Sequence, residues 1–148
     1  MTNSTLHNFS SNQSKDLKVQ LKFSSESHRK DSFKSWIFTE DKRCNATKLA
    51  EAGFYFIGSK NEADAVQCFL CGKALDGWEE NDDPWSEHQK HSPNCNFAKL
   101  GKAECKLTPY EYIDIIMEIP AVWVRELYEN KRTELLNKQK MLKKMCRS

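Results

Sequence analysis

Two residues separate Cys68 from Cys71, sixteen separate Cys71 from His88, and six separate His88 from Cys95. Thiolate and imidazole are ligands that Zn²⁺ favours, and four of them at short spacing can close a tetrahedron. The pattern therefore predicts one structural zinc site made by Cys68, Cys71, His88 and Cys95. A closed four-ligand site leaves no coordination position for water, which makes it a folding element and not a catalytic one. A thioredoxin-like use of Cys68-x-x-Cys71 would need a βαβ context, which the sequence does not offer. Cys44, Cys105 and Cys146 fall outside the ligand spacing and are read as plain thiols.

Between the second and third ligands the chain turns acidic. Asp76, Glu79, Glu80, Asp82, Asp83 and Glu87 occur with no Lys or Arg from 76 to 87. Such a run can be a solvated surface loop. Trp78 within it adds an aromatic wall that a solvated loop does not need, and Lys73 and His91 flank it as cations. Acids suit an N-terminal ammonium and Lys/His suit a phosphate, so the composite fits a phosphorylated peptide with a free N-terminus. No serine or cysteine sits in a nucleophile motif, His88 is consumed by the metal, and no glycine loop cradles phosphate.

The elements that must place these residues follow from local signals. Residues 1–22 are rich in Ser, Thr and Asn and read as a flexible arm. Leu17, Val19, Leu21 and Phe23 alternate within its end as a strand would. Residues 26–36 have helical spacing, with Arg29, Phe33 and Trp36 on one face and Arg29 as a buried structural cation. Asn45 caps a helix from Ala46 to Ala52 that Gly53 ends. Three short strands follow, from Phe54 to Ile57, Ala65 to Cys68 and Lys73 to Gly77. Asp83-Pro84 starts a helix that presents His88, and Cys95 opens a short one containing Phe97. The result is a small α+β zinc domain, a three-stranded antiparallel sheet with short helices, over residues 23–100.

A Gly/Lys linker (101–107) leads to Thr108-Pro109-Tyr110-Glu111, a capping box with proline at the first helical position. A long helix over 108–146 is predicted, with Pro120 either kinking it or starting a second one. Positions 124, 128, 131, 135, 138, 142 and 145 repeat at alternating steps of four and three and read Val, Tyr, Lys, Leu, Lys, Leu, Met. That seam predicts packing against partner helices, with folding back onto its own domain as the alternative.

Formal net charge is only +2, but residues 31–106 are acidic and the chain from Lys131 onward is basic. Different partners are expected for each part. The basic helix end alone is weak evidence for nucleic acid, so direct nucleic-acid binding is not expected. The start has no basic-then-apolar secretory pattern and no stretch is apolar enough to span a membrane, which predicts reduced thiols and no membrane partner. The triplets at Asn3, Asn8, Asn12 and Asn45 are then chance glycosylation matches.

The runs Arg29-Lys30-Asp31-Ser32-Phe33-Lys34-Ser35-Trp36, Leu49-Ala50-Glu51-Ala52-Gly53-Phe54, Val66-Gln67-Cys68-Phe69-Leu70-Cys71, Gly77-Trp78-Glu79 and Asp82-Asp83-Pro84-Trp85-Ser86-Glu87-His88, with Cys95, resemble the baculoviral inhibitor-of-apoptosis (BIR) repeat. The likeness covers about residues 25–100 and includes every ligand. One repeat followed by a long helix, with no RING-like module, is similar to the single-repeat survivin-type branch. That resemblance implies a non-enzymatic subunit of the chromosomal passenger complex, acting in chromosome segregation and cytokinesis with the inner centromere protein, borealin and Aurora B kinase. It implies that the repeat reads the histone-three tail phosphorylated at its third-position threonine.

Carried onto this chain, Asp76 and Asp82 hold the terminal ammonium and Leu75 and Trp78 line the first side chain's pocket. Lys73 and His91 meet the phosphate, with Glu87 a weaker groove candidate. Asp76 stands where a glutamate is usual, one methylene shorter. The implied locations are nucleus and centromere, spindle midzone and cytoplasm. The family also includes inhibitors that bind caspases or Ala-starting tetrapeptides, which is the competing function. Leu107-Thr108-Pro109-Tyr110 replaces the segment through which such proteins dimerise, so the resemblance leaves homodimerisation open.

Overall fold

The computed structural model describes residues 17–60 and 63–146. The expected arm over residues 1–16 lies outside them. Its end does not: residues 17–22 are helical (α1), where alternation suggested a strand. Phe23 leaves this helix and stacks on Tyr55 with ring centroids 4.0 Å apart, so burial against the sheet decides over the local pattern.

Helix α2, Glu26–Asp31, is shorter than the spacing predicts. Phe33 and Trp36 follow it in turns, yet Phe33 is buried and Trp36 packs on the core. Arg29 is fully buried. Its Nε donates to Ala50 O at 2.9 Å and its Nη1 to Phe23 O and Ser24 O at 2.9 and 2.8 Å. The guanidinium also lies 4.6 Å from the Phe69 ring centroid. Burial lowers its pKa to about 10, with Glu104 and Glu26 opposing that shift. The structural cation read from the sequence is thus a cross-brace between the chain before α2 and the end of the next helix.

Asn45 caps α3, Ala46–Glu51, by accepting from Lys48 N–H at 2.8 Å. Gly53 then takes φ +92°, and a β-carbon there would sit 2.8 Å from Phe97 Cδ1. Only glycine meets both conditions. The sheet follows with order β1-β2-β3: β1 Phe54–Phe56, β2 Val66–Cys68, β3 Ala74–Leu75, all antiparallel. Phe54 faces Cys68 across β1/β2, and Val66 faces Leu75 across β2/β3. Helices α4, Pro84–His91, and α5, Asn96–Leu100, close the domain. Phe54, Val66, Phe69, Leu70 and Phe97 fill its interior.

The segment expected to be a linker carries a 3₁₀ turn, Glu104–Lys106. Glu104 and Glu26 cap each other: each carboxylate accepts from the other's backbone N–H. Glu104 also lies 3.9 Å from Arg29 Nη2. The segment is therefore tied to α2.

Helix α6 runs unbroken over Pro109–Met145 from the expected Thr108/Glu111 capping box. Pro120 does not start a second helix. Its ring leaves the Ile116 carbonyl without its usual donor, but Ile115 and Ile119, in the turn and a half before it, are buried in the domain core and hold the helix in place. The first part of α6 thus folds back on the domain, while Val124, Tyr128, Leu135, Leu142 and Met145 are exposed. Among the described residues no helix is long and apolar enough to cross a membrane.

Candidate metal centre and adjoining acidic pocket

Cys68 ends β2, and the following turn brings Cys71 back under it. Gly72 N–H donates to Cys68 O at 3.1 Å, while Leu70 N–H points at Cys68 Sγ at 3.4 Å. Helix α4 starts on Asp83, whose carboxylate accepts from Ser86 N–H at 2.9 Å and from Arg43 Nη2 at 2.7 Å. One turn later it presents His88. Cys95 is the residue before α5.

The ligand atoms of Cys68, Cys71, His88 and Cys95 all lie within 4.8 Å of one another. Cys71 Sγ and His88 Nε2 are 3.7 Å apart. Bonds of the usual zinc lengths at a tetrahedral angle put sulfur and nitrogen about 3.6 Å apart. His88 Nδ1 is 2.8 Å from Ala52 O. A carbonyl only accepts, so Nδ1 carries the proton and Nε2 turns its lone pair to the cysteines. The donor set fits one metal ion. Burial, with Asp82 and Asp64 adding, pushes the Cys44 thiol up to about 12, and Cys44, Cys105 and Cys146 stay outside the cluster.

A pocket of about 150 Å³ adjoins this centre, lined by Leu75, Asp76, Gly77, Trp78, Asp82, Glu87 and His91. Six of the seven groove residues named from the sequence are thereby brought together. Lys73 is not among the lining residues; it precedes β3, exposed, with its carbonyl accepting from Cys68 N–H at 2.9 Å. Trp78 is buried, edge-on to Phe54 at 5.7 Å, and its indole N–H has no hydrogen-bond partner among the described residues. Asp82 Oδ2 accepts from Glu79 N–H at 2.8 Å, which fixes the turn. Glu87 and His91 lie one helical turn apart on α4, with His91 Nε2 3.2 Å from Glu87 Oε2.

Asp64 was missed. Its Oδ2 accepts from both Gly77 N–H (2.8 Å) and Trp78 N–H (3.0 Å), so it fixes the backbone of two lining residues. Nothing near Asp64 in sequence signals a partner thirteen residues away.

Residues 29–99 match the family model described as the Inhibitor of Apoptosis (BIR) domain. Over these residues the chain is a BIR domain. Baculoviral IAP repeat-containing protein 5.2 of Xenopus tropicalis is 46% identical over 90 residues, which is 61% of this chain and 58% of that protein. Baculoviral IAP repeat-containing protein 5 of Rattus norvegicus is 46% identical over 88 residues, covering 60% and 62%. The Mus musculus protein of the same name is 43% identical over 90 residues, covering 61% and 64%. The match thus spans about three fifths of these curated relatives. A crystal structure of DIAP1 BIR1 bound to a Grim peptide shares 33% identity, with 51% of this chain and 71% of that chain covered and a TM-score of 0.43. The relatives' names bear out the survivin-type likeness.

Proposed function

We propose that this chain is a non-enzymatic reader and scaffold: its BIR domain captures the N-terminus of a peptide, and α6 joins partner helices. The observation that carries the reading is the pocket in which Asp76, Asp82 and Glu87 surround Leu75 and Trp78. Three carboxylates around a small apolar recess match an ammonium next to a short side chain. Family members are in general adaptors without catalytic activity.

The metal is zinc. Three thiolates and an imidazole are soft and borderline donors that suit it over the oxygen-seeking divalent ions. Cys68, Cys71, His88 and Cys95 would hold it as a structural ion, and with Cys71 and His88 so pinned α4 carries Glu87 and His91 to the pocket.

In the survivin-type setting the peptide is the histone-three tail phosphorylated at its third-position threonine. The helix partners are the inner centromere protein and borealin, with Aurora B kinase in the same passenger complex. The settings are centromere, spindle midzone and cytoplasm during segregation and cytokinesis. Lys73, outside the pocket lining, then meets the phosphate beyond the first residues of the peptide, and His91 reaches it from the pocket rim. Titration of tail peptides with and without the phosphate tests this. The phosphate should tighten binding, and Lys73→Ala should remove most of that gain. No gain from the phosphate refutes the assignment.

The same acids would accept the Ala-starting tetrapeptides of apoptosis, and nothing in the pocket distinguishes the two ligands. The long exposed helix favours the scaffold, because capture of a tetrapeptide or a caspase does not require it.

A further inference from the structure

We propose that the cleft between α3, the start of α4 and residues 101–106 binds a nucleotide, its base on Trp85 and its phosphates among Lys42, Arg43, Lys48 and Lys106. The cleft holds about 400 Å³, an ordinary size for a small-molecule site. It shares no lining residue with the acidic pocket, so its occupant is independent of the peptide reading.

The charge of the cleft runs against its surroundings. Residues 31–106 are acidic as a whole, yet these four cations line the cleft with only Glu51 and Asp83 as acids. Lys48 Nζ lies 2.8 Å from Glu51 Oε2, and Arg43 Nη2 lies 2.7 Å from Asp83 Oδ2. Lys42 turns to Glu80, outside the lining, at 2.8 Å. Lys106 is exposed and has no hydrogen-bond or ion-pair partner among the described residues. Arg43 likewise keeps Nε and Nη1 unused there. A lone carboxylate would only replace a partner that most of these side chains already have. A diphosphate carries more charge and more acceptor oxygens, so it engages Lys106 and Arg43 together without displacing Asp83.

The remaining wall is aromatic. Trp85 is half-buried and stacks on Phe97, with ring centroids 5.4 Å apart and planes 26° from parallel. Phe97 is buried in the core, so the other side of the indole is what Trp85 gives to the cleft. A nucleobase stacks on such a surface, whereas a phosphorylated side chain makes no use of it. Gly101 and Ala103 line the cleft with little side chain of their own, which leaves room beside the ring. The reciprocal caps of Glu26 and Glu104 hold the 3₁₀ turn that carries Lys106, so both walls are fixed before a ligand arrives.

The test is calorimetric titration of the zinc-loaded full chain with ADP, adenosine and inorganic pyrophosphate at low salt. ADP should bind at least about tenfold tighter than either fragment, because each fragment uses only one wall. Lys106→Glu removes no contact of the fold and should weaken ADP about fivefold or more while leaving adenosine unchanged. Trp85→Leu should erase the advantage of ADP over pyrophosphate. In the parent chain the Trp85 indole N–H resonance should move with ADP and stay put with pyrophosphate, a readout that does not depend on that variant folding. No binding of ADP below about 1 mM overturns the proposal. So does equal affinity for ADP and pyrophosphate, which would make the cleft a plain anion patch, or an ADP affinity indifferent to Lys106→Glu. A short oligoadenylate that binds more tightly than ADP assigns the cleft to single-stranded nucleic acid and overturns it too.

Discussion

The Nδ1 of His88 lies 2.8 Å from the carbonyl oxygen of Ala52, which ties a metal ligand on α4 to the end of α3. The same ring packs against Phe54 at 4.6 Å. Through one imidazole the candidate metal centre is therefore joined to α3, β1 and α4, and α4 also supplies Glu87 and His91 to the acidic pocket.

Removing the metal should then unfold the domain and not merely loosen it. Structural zinc contributes on the order of 10–16 kcal/mol in small zinc modules. A strong chelator should abolish the native tryptophan fluorescence, to which Trp36, Trp78 and Trp85 in or against the core contribute, in a single transition reversed by added Zn²⁺. A native spectrum in the chelated protein would show that the four ligands are not what holds the fold.

Arg29 should be as intolerant of change as a core residue. Truncation to Met leaves the carbonyls of Phe23, Ser24 and Ala50 without their donor. The expected loss is about 3 kcal/mol or more in urea unfolding. A loss under about 1 kcal/mol would mean that these carbonyls find other partners.

Gly53→Ala should also destabilise, by about 2 kcal/mol or more, because it combines a left-handed backbone with a 2.8 Å approach to Phe97. The paired variant Gly53→Ala/Phe97→Leu separates the two causes. Relief of the clash should recover part of the loss and leave the backbone part.

The Asp83 cap makes a pH-dependent contribution. Its hydrogen bond to Ser86 N–H, helped by Arg43, lowers its pKa from the ordinary 3.8. A carboxyl depressed in the folded state stabilises above its unfolded value, and that stabilisation is lost as pH falls through the folded one. Asp83→Ala should cost about 1 kcal/mol at neutral pH. Its deficit against the parent should fade below pH 3.8, measured by parallel melts. A constant deficit across that range would assign the cost to packing.

The Cys/His cluster and both strong helix starts were legible because each is a short-range pattern. Cys68, Cys71, His88 and Cys95 have diagnostic types and spacing, and Thr108 with Glu111 cap a helix from three residues apart. The acidic pocket was legible for a different reason: Leu75 to His91 is one short segment whose two ends lie next to Cys71 and His88 of the candidate metal cluster. What stayed hidden depends on distant partners. Glu26 and Glu104 cap each other across 78 residues, so residues 101–107 looked like a linker. Asp64 reads as an ordinary loop acid until Gly77 and Trp78 are seen to donate to it. The alternation from Leu17 to Phe23 misled because only Phe23 finds an aromatic stack, on Tyr55, and a helix delivers it there. Pro120 looked like a boundary since the burial of Ile115 and Ile119 cannot be read from its neighbours.

The reader assignment stands or falls on whether the pocket recognises a free amine. The direct measurement is calorimetric titration of the zinc-loaded full chain with the phosphorylated histone-three tail peptide, once with a free N-terminus and once N-acetylated. Acetylation removes the ammonium while keeping sequence and phosphate. Capture by Asp76, Asp82 and Glu87 requires the acetylated peptide to bind at least about tenfold more weakly, as expected for loss of charge-assisted hydrogen bonds. Asp82→Asn, whose amide oxygen can still accept from Glu79 N–H, should shrink that difference. Equal affinity for the two peptides would contradict N-terminal capture.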